Sequence, residues 1–287
     1  MKIIFFGSSE YCIPILDNLY HNFQLIAVVT KQSSAAQQFA ELHSISVLTP
    51  KNKAELLSLK GEIKQFQPDL AVVADYGLII PPEIFTLPKY QTLNIHFSRL
   101  PALRGPSPVQ FTILTGKHCA WISIIIMAKE MDTGDIIWQK EIPLEGNEIS
   151  ERLYKKLFQT TAQELPNIVN LYTQGKLKVQ KQDHAKATYT KLLTRDDGFI
   201  PPKLLDDALK GVPSSDKLER TIRAFTPWPG AWTNVQITDN KKQITKRLKL
   251  LKAHLEGNGL ILDMVQLEGK KPVSWKQFQA GYPNSRF

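Results

Sequence analysis

The sequence predicts an α/β protein in two parts: a doubly wound, mostly parallel sheet first, then a small C-terminal β-barrel. Three observations carry this reading. Short apolar runs alternate with amphipathic stretches from Lys2 to Ile142, as strands and crossover helices do. A polar segment rich in Lys and Gln begins near Leu177 and breaks that rhythm. Beyond it, short alternating segments lie between turns, the pattern of a small antiparallel barrel. The 287 residues, 43% hydrophobic, are long for one core and comfortable for two. The expected parts are 1–176, a linker 177–202, and 203–287.

Lys2 to Phe6 reads as a buried parallel strand, and Gly7-Ser8-Ser9-Glu10 opens a helix from Tyr11 to His21. That turn lacks the Gly-x-Gly-x-x-Gly spacing, so a dinucleotide site is poorly supported. Leu25 to Thr30 is a second strand, followed by a polar loop to Ala36, a short helix from Gln37 to His43 and a brief strand at Ile45–Leu48. Lys53 to Gln67 has an amphipathic helical pattern that stops at Pro68. Asp69 to Ala74, Leu93 to Ser98, Trp121 to Met127 and Ile136 to Ile142 complete the sheet, with a helix over Val109–Thr115. Leu153, Leu157, Ala162, Leu165, Ile168 and Leu171 recur at helical spacing within Glu148–Tyr172, where Pro166 is a bend point. After the linker come a helix from Ser214 to Arg223 and an aromatic turn, Phe225 to Trp232. The barrel strands are expected at Trp232–Ile237, Arg247–His254, Leu260–Asp263 and Gly269–Trp275.

Lys and Arg outnumber Asp and Glu 36 to 27, a net charge of +9 that favours polyanionic partners. Lys241, Lys242, Lys246, Arg247, Lys249 and Lys252 bunch together. Two readings stand for them, a phosphate-facing stripe or an edge strand protected by charge. Cys12 and Cys119 are far apart and form no Cys-x-x-Cys pair, which suits a reducing, cytoplasmic setting and no disulfide framework. The six histidines show no metal-ligand spacing, so no metal is expected. Met1-Lys2 runs directly into the first strand with no leader pattern, and no apolar run approaches the ~20 residues of a membrane helix.

Chemistry concentrates in Asn94-Ile95-His96-Phe97-Ser98-Arg99-Leu100-Pro101. Leu93, Ile95 and Phe97 share one strand face; Asn94, His96 and Ser98 share the other. An amide that donates to a developing oxyanion beside an imidazole that moves a proton suits acyl chemistry. The plain alternative is a satisfied core histidine beside a turn-forming asparagine. Met131-Asp132-Thr133-Gly134-Asp135 ends the next apolar run and delivers a carboxylate to the same sheet edge. Asp132 would orient His96; Asp135 is its rival, and an Asx-type turn around Gly134 is the alternative for either.

These segments, with the Arg104-Gly105 pair, resemble the folate-dependent formyltransferases, which have a Rossmann-like catalytic domain. The resemblance implies 10-formyltetrahydrofolate as formyl donor and a catalytic triad of Asn94, His96 and Asp132, with no metal. It places the folate against Ser98, Arg99, Leu100 and Pro101, and against Tyr76, Gly77, Leu78 and Ile80, largely through backbone groups. Within the family, Arg223 to Pro229, Val265 to Pro272 and Phe278 to Gly281 are similar to the C-terminal, OB-like domain of the methionyl-tRNA formyltransferases. That implies initiator methionyl-tRNA as acceptor and an enzyme of translation initiation, expected as a monomer; with such an acceptor, Arg104 and, from the basic cluster, Lys246, Arg247 and Lys249 are the expected tRNA contacts. The sugar-nucleotide N-formyltransferases share the catalytic segment and the Pro-Trp-Pro-Gly turn and are the alternative. A non-catalytic nucleic-acid-binding protein on the same fold is a third reading. Three departures stand out. The loop from Lys31 to Gln37 is short and lacks the arginine of the tRNA formyltransferases, Leu103 replaces an aromatic residue, and Arg99 replaces an aliphatic one.

Overall fold

A computed structural model describes residues 1–211, 215–239 and 242–287, so Ser214 and Lys241 lie outside the described residues. The chain divides into two compact units. The first comprises Met1–Pro108, Cys119–Pro143 and Tyr154–Thr190; the second comprises Val109–His118, Leu144–Leu153 and Lys191–Phe287. The segment expected as a linker is thus divided between them at Thr190, and the second unit draws on two stretches that precede that segment in the sequence.

In the first unit, β1 (Lys2–Phe6) is followed by α1 (Ile13–Asn22), β2 (Gln24–Val29), α2 (Ala35–Leu42) and β3 (Ser46–Leu48). Ser34 caps α2 by accepting from the Gln37 N–H at 3.1 Å, which makes the Lys31–Ser34 stretch a tight capped turn. The helix expected from Lys53 to Gln67 is two helices, α3 (Lys53–Ser58) and α4 (Lys60–Gln65). The Ser58 hydroxyl donates to the Glu55 carbonyl at 2.7 Å, and such local bonds compete with the helical ladder. There follow β4 (Leu70–Val73), α5 (Pro82–Phe85), β5 (Thr92–His96), α6 (Pro108–Leu114), β6 (Cys119–Ile126), β7 (Ile136–Pro143) and α7 (Ser150–Thr173). Helix α6 falls in the second unit apart from Pro108, and α7 belongs to the first unit from Tyr154 onward.

The seven strands run in the order β3-β2-β1-β4-β5-β6-β7. The first five are parallel; β6 and β7 pair antiparallel. Strand order reverses at β1, whose neighbours are β2 and β4, so the crevice beyond the ends of β1 and β4 is the topological switch point. Parallel strands covered on both faces must be apolar throughout, and Ile3, Ile4, Phe5, Phe6, Val28, Val29, Leu70 and Val72 are all buried.

In the second unit, α8 (Pro202–Leu209) and α9 (Ser215–Ala224) precede β8 (Ala231–Asp239), β9 (Lys242–Glu256), β10 (Gly259–Leu267), β11 (Val273–Ser274) and α10 (Trp275–Gly281). The expected barrel takes the form of an antiparallel sheet in the order β11-β10-β9-β8. Its core joins Val235, Leu248, Leu250, Leu260 and Val265 to Ile222 of α9 and Phe278 of α10. After α10 the chain reaches the far edge, where Arg286 and Gln236 exchange backbone hydrogen bonds of 2.8 and 3.0 Å and cover part of β8. No helix among the described residues is long and apolar enough to cross a membrane.

Candidate active site

Strand β5 lies between β4 and β6, and its alternation sets the site. Ile95 and Phe97 are buried on one face, where Phe97 meets Phe158 edge-on at 4.7 Å. Asn94 and His96 occupy the other face at the strand's end. The Asn94 amide donates to Asp132 Oδ1 at 3.2 Å. His96, 6% exposed, bonds the Leu103 carbonyl through Nε2 at 2.9 Å. A carbonyl only accepts, so that nitrogen carries a proton. The other ring nitrogen, Nδ1, faces Asp132 Oδ2 at 3.6 Å, longer than a hydrogen bond but close for a charge. The structure therefore brings Asn94, His96 and Asp132 together.

Asp132 sits in a turn held from several sides. Its φ is +57°, a left-handed conformation that Asp tolerates better than most residues. Gly134 is pressed against the β6 terminus: a Cβ there would stand 1.7 Å from the Ile126 carbonyl oxygen. The Gly105 N–H donates to Asp132 Oδ2 at 2.7 Å and fixes the carboxylate from above. Asp135, the rival carboxylate, contributes its backbone carbonyl, which accepts from the Ile126 N–H at 2.9 Å.

Residues 182–190 form the other wall, and no sequence pattern pointed to them. The Gln182 side chain donates to the carbonyls of Asp132 and Gly134 at 2.8 and 2.6 Å. Its oxygen accepts from Arg104 Nε and Nη2 at 3.2 and 2.7 Å. Thr188 and Thr190 bond the backbone of Leu103, Arg104 and Ser107. Arg104 was expected on a tRNA phosphate, and the structure corrects this. It is 1% exposed, and its guanidinium also meets His184 Nδ1 at 3.0 Å and the Tyr189 hydroxyl at 3.4 Å. A phosphate cannot reach a cation held this way.

The two stretches expected at the folate differ from one another. No backbone bond among the described residues uses the N–H or C=O groups of Gly77, Leu78, Ile79 or Ile80. These groups follow β4 at the switch point, where a heteroaromatic ring with amide-like edges can pair with them. Tyr76 packs edge-on against Phe6 at 5.5 Å, and its buried hydroxyl has no partner among the described residues. Burial pushes that phenol well above its usual range. Around Ser98 to Pro101 the four backbone carbonyls and the Leu100 N–H are already engaged. The Ser123 hydroxyl donates to the Ser98 carbonyl at 2.6 Å and accepts from the Leu100 N–H at 3.3 Å. Gln139 donates to the Leu100 carbonyl at 3.1 Å, and the Ser98 hydroxyl bonds Ala102. This segment shapes the site wall, and only Arg99 stands exposed, its guanidinium 4.6 Å over the Trp121 ring. That stack accounts for an arginine at this position. Ser123 had a signal in the sequence, a lone hydroxyl in an otherwise apolar strand.

Residues 1–169 match the formyl transferase family, and residues 213–260 match the formyl transferase C-terminal domain. The methionyl-tRNA formyltransferase of Roseiflexus sp. (strain RS-1) is 35% identical over 246 residues, which cover 81% of this chain and 73% of that one. That of Geotalea uraniireducens (strain Rf4) is 30% identical, with 98% of this chain and 95% of that one covered. This chain belongs to the methionyl-tRNA formyltransferase family. Among solved structures, the methionyl-tRNA formyltransferase from Clostridium thermocellum shares the fold at a TM-score of 0.62 and 21% identity, covering 93% of this chain and 98% of its own.

The family's C-terminal domain carries the basic cluster here, and the register of β9 splits it. Ile244, Lys246, Leu248 and Leu250 pair with Ile237, Val235, Thr233 and Ala231 and face inward. Arg247 and Lys249 pair with Asn234 and Trp232 and face outward, where Arg247 lies 4.2 Å over the Trp232 ring. Lys246 is therefore not part of a stripe with Arg247 and Lys249, because side chains in a strand alternate faces. Lys252 follows a bulge and sits 4.0 Å from Asp263. Arg247 and Lys249 line a cavity of ≈ 240 Å³ together with Gln266, Glu268 and Gly269. Arg195 lies 5.9 Å over the half-exposed Trp228 ring and accepts, through its carbonyl, the Trp232 indole N–H.

Proposed function

We propose that this enzyme transfers the formyl group of 10-formyltetrahydrofolate to the amino group of methionyl-initiator tRNA, with Asn94, His96 and Asp132 as the catalytic residues. The observation that carries the reading is the convergence of these three side chains at the end of β5, beside the switch-point crevice. The folate supplies the formyl carbon. The free backbone edge from Gly77 to Ile80 holds its ring, and Arg99 with the wall from Ser98 to Pro101 borders it.

Acyl transfer to an amine puts negative charge on the formyl oxygen and positive charge on the attacking nitrogen. Asn94 answers the first need: one of its amide hydrogens engages Asp132, and the second is free for the oxygen. His96 adds a second N–H donor when its ring turns from Leu103. Asp132 answers the other need. It takes a proton from the ammonium centre, directly or through water, and holds the imidazole in place. The departing folate nitrogen takes up one proton, so the amine's loss and the folate's gain balance. The amine is itself the nucleophile, and no covalent enzyme intermediate enters. Arg247 and Lys249, flanked by Trp232, contact acceptor-stem phosphates.

Acceptor choice tests the reading. With 10-formyltetrahydrofolate, methionyl-initiator tRNA should be formylated and amino-sugar nucleotides left untouched. Preference for an amino-sugar nucleotide would replace the acceptor, and no transfer to either would overturn the activity.

A further inference from the structure

We infer that Gln182 is a positioning residue for the reaction, the adapter through which a buried Arg104 holds the Asp132 carboxylate on His96. The inference rests on the reading of Asp132 as the catalytic carboxylate. Gln182 lies 50 residues beyond that turn, in a polar stretch that follows the last helix of the first unit. It is 6% exposed, and its amide is fully engaged. Both carbonyls that flank Thr133, those of Asp132 and Gly134, accept from one Nε2. Two donors from one planar group fix both ends of the turn and hold Asp132 in its left-handed conformation. Gln182 Oε1 in turn accepts twice from Arg104. Arg104 precedes Gly105, whose N–H is the other restraint on the carboxylate. The turn and the loop above it are thus tied into one ring: Asp132 to Gly105, Arg104 to Gln182, and Gln182 back to Asp132.

A buried guanidinium ordinarily stands against a carboxylate, because an unpaired buried charge is costly. Arg104 has no carboxylate within ion-pairing distance among the described residues; its partners are Gln182, His184 and Tyr189. His184 Nδ1 must be unprotonated there, since the guanidinium can only donate. An arrangement this expensive, placed against a catalytic turn, orients a neighbour. A side chain that merely filled space would not need four directed bonds.

The full chain carries the test, with kcat, KM for each substrate and the folded fraction measured for Gln182→Glu, Gln182→Met and Asp132→Asn. Gln182→Glu keeps the acceptor for Arg104 and removes both donors to the turn; Gln182→Met keeps length and removes both functions. Misplacing a reacting group by about 1 Å costs up to ~10²-fold in rate. Both Gln182 variants should lose roughly 10–100-fold in kcat with KM little changed. The loss should fall on kcat and leave the KM for folate and for tRNA near wild type, with the folded fraction, read by circular dichroism, unchanged. A Gln182→Glu enzyme with wild-type kcat overturns the positioning role, leaving Gln182 only a partner for Arg104. So does a lower kcat that tracks a lower folded fraction. Asp132→Asn tests the reading beneath: normal turnover in that variant removes the catalytic carboxylate itself.

Discussion

Asn94 and His96 differ from their neighbours on β5 in facing the site with donors, and their removal should show in rate before affinity. Asn94→Ala and His96→Ala should each lower kcat by ~10²–10³, the usual cost of losing one donor to a developing oxyanion. Folate binding, followed by fluorescence, should persist, because the backbone edge at Gly77–Ile80 is untouched. Asp132→Asn should cost more than Asp135→Asn, since only the Asp132 carboxylate reaches Asn94, His96 and Gly105. Equal losses in single-turnover rate would show the carboxylate to be misassigned. A different residue reports on the fold. Burial, with the Asp75 charge nearby, pushes the Cys12 thiol from 9.0 to about 12. An unfolded chain ionises this thiol near its ordinary value and the folded one does not, so stability is full below pH ~9 and falls between ~9 and ~12. Replacing Cys12 with Ala should flatten that alkaline loss, measured as Tm against pH.

At the scale of elements, tight turns decide where carboxylates and edges end up. Gly134→Ala would drive a Cβ into the Ile126 carbonyl at 1.7 Å, backbone against backbone. The expected cost is about 3 kcal/mol or more, a Tm drop of roughly 6–12 °C. Gly198→Ala meets the Gly230 carbonyl at 1.9 Å and should behave alike. Gly61→Ala, in α4 with nothing within 4 Å, should instead stabilise by ~0.5–1 kcal/mol. A calorimetric series that fails to separate these three would contradict the packing described. Much of this scale was legible in the sequence. The alternation of β5, the Asp-Gly turn and the apolar strands come from periods of two and from residues that bury or cap. Gln182 was not legible, because its partners lie 50 and 78 residues away and its own stretch has no period. Arg104 read as a free cation because charge says nothing of burial. Lys246 is the instructive case. The same alternation, carried back from Leu248 and Leu250, turns Lys246 inward and leaves Arg247 and Lys249 outside.

At the scale of the whole molecule, a net charge of +9 attracts any polyanion, so specific phosphate contacts must be separated from general attraction. An A-form acceptor stem is read mainly through shape and backbone, which makes phosphate contacts a large share of tRNA affinity. Each contact releases counterions and steepens the dependence of affinity on salt. Arg247→Gln and Lys249→Gln, made singly, should each weaken methionyl-tRNA binding and reduce the log–log salt slope by roughly one unit or less. Lys246→Gln removes the same charge from the inward face opposite Val235 and should leave the slope nearly unchanged. Comparing variants of equal charge is what makes the experiment decisive: a loss that follows net charge alone would affect all three positions alike. Truncation is the poorer test, because Val109–His118 and Leu144–Leu153 belong to the same compact unit as the C-terminal sheet. Within that unit Arg220 bonds the Leu114 carbonyl and Arg223 the Glu148 carbonyl, and a cut near Lys203 would strip both. If the Arg247→Gln and Lys249→Gln variants both bind tRNA with an unchanged slope, the outward face of β9 is a solvated surface, and the phosphates are held elsewhere.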